Sequence, residues 1–370
     1  ATVKDNTKVS TSNVQKTMAI PETYQALVAG SIGDSFSEVA QVRNLPIPDI
    51  ANDEALICVK YAGVNGGCET FRARGEFSFE GNKDATNDEP FNLGAEGVGI
   101  VVKVGSDVTN VKEGDAVCFV GSAFAEYSTC KAFLLWKIPE PTPEYVGLRI
   151  SALTSCAMLE QTGNLQEGET VLITAAAGGA GHFAVQFAKL AGCKVIGTCG
   201  SAAKAEELER LGCDHIINYK EQDVAAELKR LAPNGLDAIL EGVGGRMLQI
   251  ALDSLAPEGR LLQVGYISEY PHNSNAAVES SANELNASDL FWNKKTIQRG
   301  KQTIYGNAWP KDFSRVAGSK DRVLGLFAEG KLKSLVDKTA EFKGVGSVSD
   351  AINHMLSGTT IGKVVVKIND

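Results

Sequence analysis

This sequence predicts a mixed α/β protein: a β-rich half followed by a doubly wound parallel sheet flanked by helices. Three features carry that expectation. Short β-rich runs punctuated by Gly, Pro, Asn and Asp fill the stretch from Tyr24 to about Trp136, and strand and helix patterns alternate after Leu148. A short β-rich run then returns at Val364–Ile368. At 370 residues the chain is too long for one ordinary domain. Two units are expected, with the α/β block inserted before the returning end.

Residues 1–21 are rich in Ser, Thr, Asn and Lys without apolar periodicity, and read as a flexible tail. Ala55–Tyr61 and Val98–Val104 read as strands by composition and length. Val111-Lys-Glu-Gly-Asp-Ala-Val117 reads as a turn feeding another strand. In the second half, strands are expected at Thr170–Thr174, Lys194–Thr198, Ile216-Ile217, Leu236–Leu240 and Arg260–Val264. Helical patterns cover Phe183–Leu190 and Ala202–Leu211. The segment Pro271–Thr303 is polar at first, then runs into Leu290-Phe291-Trp292 and a basic stretch. Its length suggests a mobile lid or a dimer arm.

The composition, 44% hydrophobic and 22% charged, fits a globular domain, not a disordered chain. A formal net charge of −9 argues against a nucleic-acid partner, which would need a basic face. No apolar run approaches the roughly 20 residues that span a bilayer, and a cytoplasmic location is expected. The cysteines form no CxxC pair and read as reduced thiols. Asn286-Ala287-Ser288 is formally a glycosylation sequon, taken as chance.

The sharpest motif is Ala175-Ala-Ala-Gly178-Gly179-Ala180-Gly181, between a strand and a helix. Glycines there let the backbone approach a pyrophosphate, and amides at the helix start attract its charge. The bland alternative is a packing turn, since the run departs from the usual GxGxxG. The next strand end decides which dinucleotide fits. An NAD site carries an acid there for the ribose 2′-hydroxyl, but Gly197-Thr-Cys-Gly-Ser201-Ala-Ala-Lys204 has none before Glu206. Ser201 can donate to a 2′-phosphate and Lys204 can supply charge, unless Lys204 is simply a solvated helix lysine. NADPH is favoured over NADH.

Further motifs accompany the glycine run: Gly63-Val64-Asn65, Gly94-Ala-Glu96-Gly-Val-Gly99, Phe124-Ala-Glu-Tyr127, Ile217-Asn218-Tyr219, Glu241-Gly-Val-Gly-Gly245, Gly265-Tyr-Ile-Ser268 and Gly362-Lys363. Together they resemble the medium-chain dehydrogenase/reductase superfamily, in its zinc-independent quinone oxidoreductase and prostaglandin reductase branch, over residues 22–370. The resemblance implies a GroES-like catalytic domain over 22–147, a Rossmann NADPH-binding domain over 148–304, and a return to the catalytic domain over 305–370. It implies a homodimer as well. Asn65 and Thr154 should lie near the nicotinamide, and Gly178, Gly179, Ala180 and Gly181 at the pyrophosphate. Ser201, Lys204 and Tyr219 should surround the 2′-phosphate, while Gly244, Gly265 and Ser268 line the nicotinamide side. Tyr270 should face the substrate mouth.

Three positions depart from the family pattern. Cys68 replaces an Asp three residues after Asn65, Cys156 replaces an aromatic two residues after Thr154, and Thr360 replaces an Asn before Gly362-Lys363. Each alters the walls of the substrate pocket. The ligand positions of zinc-dependent members carry Asn65, Ala95 and Ile150, so no metal is expected. His182, just after the glycine run, reads as a helix-start residue.

The expected chemistry is hydride transfer from NADPH to the β-carbon of a conjugated enone, where delocalisation makes a metal unnecessary. Tyr270 is the first candidate donor to the enolate oxygen, helped by the nicotinamide ribose hydroxyl, and Asn65 is counted among the catalytic residues. Tyr266 is the second, unless it is a packing residue. Quinone reduction is the alternative chemistry, and an NADPH-binding sensor without catalysis is the alternative of another class.

Overall fold

The computed structural model describes residues 19–33, 35–73, 90–270, 285–293, 296–310 and 313–370. The expected tail therefore lies almost wholly outside the described residues, as does the first part of the expected lid.

The second half folds as predicted, around a seven-stranded sheet. Its spatial order is His215–Asn218, Lys194–Cys199, Thr170–Ile173, Leu236–Glu241, Leu255–Gln263, Gln302–Tyr305 and Thr296–Arg299. All neighbours are parallel except the last pair, an antiparallel hairpin at the sheet edge. Strands covered on both faces must be apolar throughout, and Val171, Leu172 and Ile173 are fully buried. The chain steps outward from Thr170–Ile173 on one side, then crosses back to Leu236–Glu241 on the other. That reversal opens a crevice at the carboxyl ends of the two central strands, where doubly wound sheets bind their ligands.

The β-rich half contains a second large sheet, ordered Phe342–Lys343, Val365–Lys367, Glu54–Gly63, Glu96–Val104, Ala116–Val120 and Trp136–Ile138. Tyr127–Lys131 also pairs with Glu54–Gly63. A smaller sheet joins Ala40–Pro46, Thr23–Ala29 and Phe91–Asn92. The returning end thus adds a strand to the first half, antiparallel to Glu54–Gly63 with Val365 opposite Gly63. Gly63 in turn lies opposite Glu96. This register sets three distant parts of the chain side by side and fixes where the site lies.

The described end of the Pro271–Thr303 segment is ordered and packed. Asn286 caps the helix Ala287–Trp292, its side chain accepting from Asp289 N at 2.8 Å. Trp292 Nε1 donates to Tyr266 Oη at 2.8 Å.

Candidate active site

The loop after Thr170–Ile173 turns at Ala175, whose φ of 46° is left-handed, so the strained residue of the motif is an alanine and not one of its glycines. Gly181 is needed for close approach: a Cβ there would stand 2.3 Å from the Ala175 carbonyl oxygen. The helix Gly181–Leu190 follows, with Ala180 at its N-cap making no side-chain cap bond. His182 is buried as that helix begins. Its Nδ1 lies 2.8 Å from the Gly178 carbonyl, and its Nε2 accepts from Leu335 N at 3.1 Å. Burial pulls its pKa down to about 4, so it is neutral at physiological pH. It ties the loop to the C-terminal return, the structural role its position suggested. The Gly362 amide does the same by donating to the Ala177 carbonyl at 2.8 Å.

At the end of the next strand, Ser201 caps the helix Ala202–Arg210 by accepting from Lys204 N. The Tyr219 side chain stands over Gly200, where an added Cβ would meet its hydroxyl oxygen at 2.5 Å. Lys204 is half-buried and donates to the Gly358 carbonyl at 2.6 Å, and burial lowers its pKa. The three residues predicted for a phosphate therefore share one corner of the crevice.

The loops expected on the nicotinamide side are bound to each other. The Ser268 hydroxyl donates to the Val243 carbonyl at 2.5 Å, and Ile267 N donates to the Gly242 carbonyl at 3.0 Å. Gly244, with φ 78°, precedes the helix Gly245–Asp253, and Gly265 lies under the Tyr270 hydroxyl. Beneath them Glu241 is fully buried and accepts from Val243 N at 2.7 Å and Gly244 N at 3.0 Å. Burial outweighs these bonds and raises its pKa to about 7.

The polar centre lies where the halves meet. Asn65 Nδ2 donates to Glu96 Oε1 at 2.9 Å, and its Oδ1 accepts from Lys363 Nζ at 2.7 Å. Lys363 also pairs with Glu96 at 2.5 Å and reaches Ser151 Oγ at 3.5 Å. Ile150 N donates to Glu96 Oε2 at 2.8 Å. Both charges are buried, with side chains 2% and 0% exposed. Thr154 is half-buried on the helix Leu153–Ala157, and its neighbour Ser155 donates to the Ala180 carbonyl at 2.9 Å. One helical stretch thus touches both the charged pair and the glycine loop.

Of positions 65, 95 and 150, expected to correspond to the ligand places of zinc-dependent relatives, Asn65 and the Ile150 amide both bond to Glu96, and the Lys363 ammonium stands beside Asn65. Among the described residues no group of three or more His, Cys, Asp or Glu side chains could hold a metal.

Of the two tyrosines, Tyr270 differs from its expected place and Tyr266 does not. Tyr270 is buried at 6% exposure instead of standing open at a mouth. Its ring lies 3.4 Å from where a Gly66 Cβ would be, and its hydroxyl 3.2 Å from a Gly265 Cβ, so it bridges the two halves. Burial raises its pKa. Tyr266 packs edge-on against Phe291 and Tyr270, and its hydroxyl accepts from Trp292, which is the packing alternative.

Glu96, Glu241 and Lys363 stand within the sequence motifs but carried no expected role. The available signal was a charge inside an apolar run, as with Lys363 between Ile361 and Val364-Val365-Val366. Such a residue is costly to bury unless paired.

A catalytic-type β domain closed by its own C-terminus, set against a doubly wound nucleotide domain, defines a two-domain oxidoreductase. Comparisons agree. Residues 51–140 match the alcohol dehydrogenase GroES-like domain and 179–318 the zinc-binding dehydrogenase model. The chain is 35% identical to prostaglandin reductase-3 of Mus musculus over 358 residues, covering 95% of this chain and 91% of that one. It is 34% identical to a probable quinone oxidoreductase of Leishmania amazonensis over 354 residues, covering 95% and 100%. The Escherichia coli quinone oxidoreductase, solved with NADPH, superimposes with a TM-score of 0.75 at 24% identity over 93% and 99% of the chains. The chain belongs to the medium-chain dehydrogenase/reductase superfamily, in the branch of quinone oxidoreductases and prostaglandin reductases.

Proposed function

We propose that the protein is an NADPH-dependent, zinc-free reductase of conjugated carbonyl compounds, of the prostaglandin or alkenal enone type. The observation that carries this reading is the polar centre itself. It offers hydrogen-bond donors and a buried ammonium where a metal site would need ligands, so charge developing on a substrate must be delocalised by the substrate's own conjugation.

The residues fit the cofactor. A Cβ on Gly179 would make ordinary contact with the Lys363 and Ser151 side chains, at 3.5 and 3.6 Å, so the glycine loop lies directly against the polar centre. Gly178, Gly179, Ala180 and Gly181 would hold the pyrophosphate, and Ser201, Lys204 and Tyr219 the 2′-phosphate. Gly244, Gly265, Ser268 and Thr154 would frame the nicotinamide. When bound, NADPH supplies a hydride. Asn65 and Tyr270 donate hydrogen bonds to the substrate oxygen as it gains charge, and the buried tyrosine pair keeps water from the acceptor. The α-carbon takes its proton from solvent or from the Tyr270 hydroxyl.

The inserted nucleotide block supports a domain limit near 147/148, whereas the limit expected at 304/305 falls inside the sheet strand Gln302–Tyr305, so the return is placed after that strand. The edge hairpin Thr296–Tyr305 is a natural place for a homodimer seam. Among the described residues no helix is long and apolar enough to cross a membrane.

The deciding experiment is steady-state NADPH consumption with a panel of enones and quinones, NADH as control, with and without a strong chelator. Turnover on enones, insensitive to chelation, is expected. Turnover on quinones alone would favour the second reading, which the Leishmania relative's name supports. Zinc lost together with activity would defeat the zinc-free mechanism.

A further inference from the structure

An amide side chain can hydrogen-bond either way round, and its surroundings decide which edge faces outward. At Asn65 the surroundings are two opposite charges. The ammonium of Lys363 lies 2.7 Å from Oδ1, and the Glu96 carboxylate 2.9 Å from Nδ2. Turning the amide over would press its NH2 against the ammonium and its carbonyl against the carboxylate. In a site where both charges are almost fully buried, that reversal is strongly disfavoured.

One Nδ2 hydrogen goes to Glu96. The other has the Gly63 carbonyl at 3.5 Å, the limit of hydrogen-bond distance, and so remains able to donate elsewhere. The pair is itself held from both sides of the sheet. Val365, Gly63 and Glu96 are lateral neighbours, and Val64 N donates to the Val364 carbonyl at 3.0 Å. Gly63 leaves room for the pair, since a Cβ there would stand 2.9 Å from Lys363 Cε and 3.0 Å from Glu96 Cγ.

We propose that Lys363 is a positioning residue that, with Glu96, fixes Asn65 so that its N–H edge is what the site offers to a substrate oxygen. The lysine touches no reacting atom. It acts by deciding the polarity of the amide that does, from a position 298 residues away in sequence. The inference rests on the proposed placement of the nicotinamide beside Asn65.

Four variants test it: Lys363→Met, Asn65→Ala, the double Lys363→Met/Asn65→Ala, and the double Glu96→Gln/Lys363→Met. Lys363→Met and Asn65→Ala should each lower kcat about 100-fold, the size of a lost oxyanion donor, with NADPH Kd nearly unchanged. Combining them should cost no more than either alone, since both remove one interaction. Lys363→Met strands a buried carboxylate and will lower Tm. Glu96→Gln/Lys363→Met removes both charges and should recover Tm but not kcat. A cofactor-free readout accompanies these: with asparagine labelled in nitrogen-15, the Asn65 side-chain amide should exchange slowly in the wild type and quickly in Glu96→Gln/Lys363→Met.

Full recovery of kcat in Glu96→Gln/Lys363→Met, or additive losses, would make the pair merely structural. Weakened NADPH binding with intact kcat at saturation would make Lys363 a cofactor ligand instead. Either outcome overturns the proposal. A wild type that consumes no NADPH with any acceptor would defeat the functional reading, and the amide exchange would still judge the orientation.

Discussion

The two ends of the crevice are built on opposite plans. At the adenosine corner, Ser201, Lys204 and Tyr219 come from consecutive strand ends of one sheet, and Tyr219 remains 45% exposed. At the polar centre, Asn65, Glu96, Ser151 and Lys363 come from four separate stretches, and the charges are sealed from water. Water-facing charges interact weakly and can be exchanged at small cost. Sealed charges are energetically expensive to disturb. On the proposed reading, cofactor choice sits where change is tolerated, and the reacting geometry where it is not.

The sharpest test of that contrast is stability. Glu96→Ala leaves the Lys363 ammonium buried without its counter-ion, and should destabilise the fold by about 3–5 kcal/mol. Lys204→Ala, at the other end, should leave stability nearly unchanged. Urea melts of the two variants would compare them directly, and equal losses would dissolve the distinction.

A second test concerns turnover. Tyr270→Phe removes only a hydroxyl from a ring that bridges both halves, so packing survives. If that hydroxyl donates to the developing oxyanion, kcat should fall by about 100- to 1,000-fold, equivalent to about 2.7–4 kcal/mol, with NADPH affinity intact. Tyr266→Phe should do much less to kcat, because its oxygen already accepts from Trp292. Unchanged turnover in Tyr270→Phe on every accepted enone would remove that residue from the mechanism.

This difference in construction also explains what could be read in advance. The parallel sheet, its strands and the glycine loop were legible because each is written in a few consecutive residues: a buried β-run, a turn, a helical period. Ser201 and Lys204 could be put forward for the same reason, whereas Tyr219 rested on the family resemblance. Lys363 was not, because nothing near Gly362-Lys363 reveals that residues 65 and 96 will be its neighbours. Only the pairing of Val365 with Gly63, and of Gly63 with Glu96, establishes that. Tyr270 was misplaced for a related reason. A tyrosine after a strand end can be open or covered, and the element that its ring meets, around Gly66, comes from elsewhere in the chain.

Glu241 gives the contrast a pH signature. Its native pKa is raised from the ordinary 4.5 to about 7 by burial. Below about pH 4.5 it is protonated in both native and unfolded states and makes no difference. As pH rises from there, the unfolded chain ionises first, so stability falls until the native group also ionises near 7, then levels off. Over pH 5 to 7 the fall should be roughly 2 kcal/mol. Glu241→Gln cannot ionise and should flatten that stretch of the stability curve. A slope that persists in the variant would assign it to another group.

The smallest effect is expected at the exposed corner, where it should be the most selective. Lys204 now donates to the Gly358 carbonyl, and a 2′-phosphate arriving there would offer it a charged acceptor in place of a neutral one. A hydrogen bond to a charged group contributes about 1.5–3 kcal/mol, and a half-buried lysine belongs at the low end because solvent and salt screen it. Lys204→Ala should therefore weaken NADPH binding about 10-fold and barely change NADH, which has no 2′-phosphate. Tyr219→Ala should show the same asymmetry more faintly, through lost contact at the adenosine end. Nicotinamide fluorescence titrations of both cofactors at fixed ionic strength would measure it. Because Lys204 also holds the C-terminal return through Gly358, equal weakening of both cofactors would mean that its contact with the chain, and not with a phosphate, is what matters. The plan of the adenosine corner would then have to be redrawn around Ser201 and Tyr219 alone.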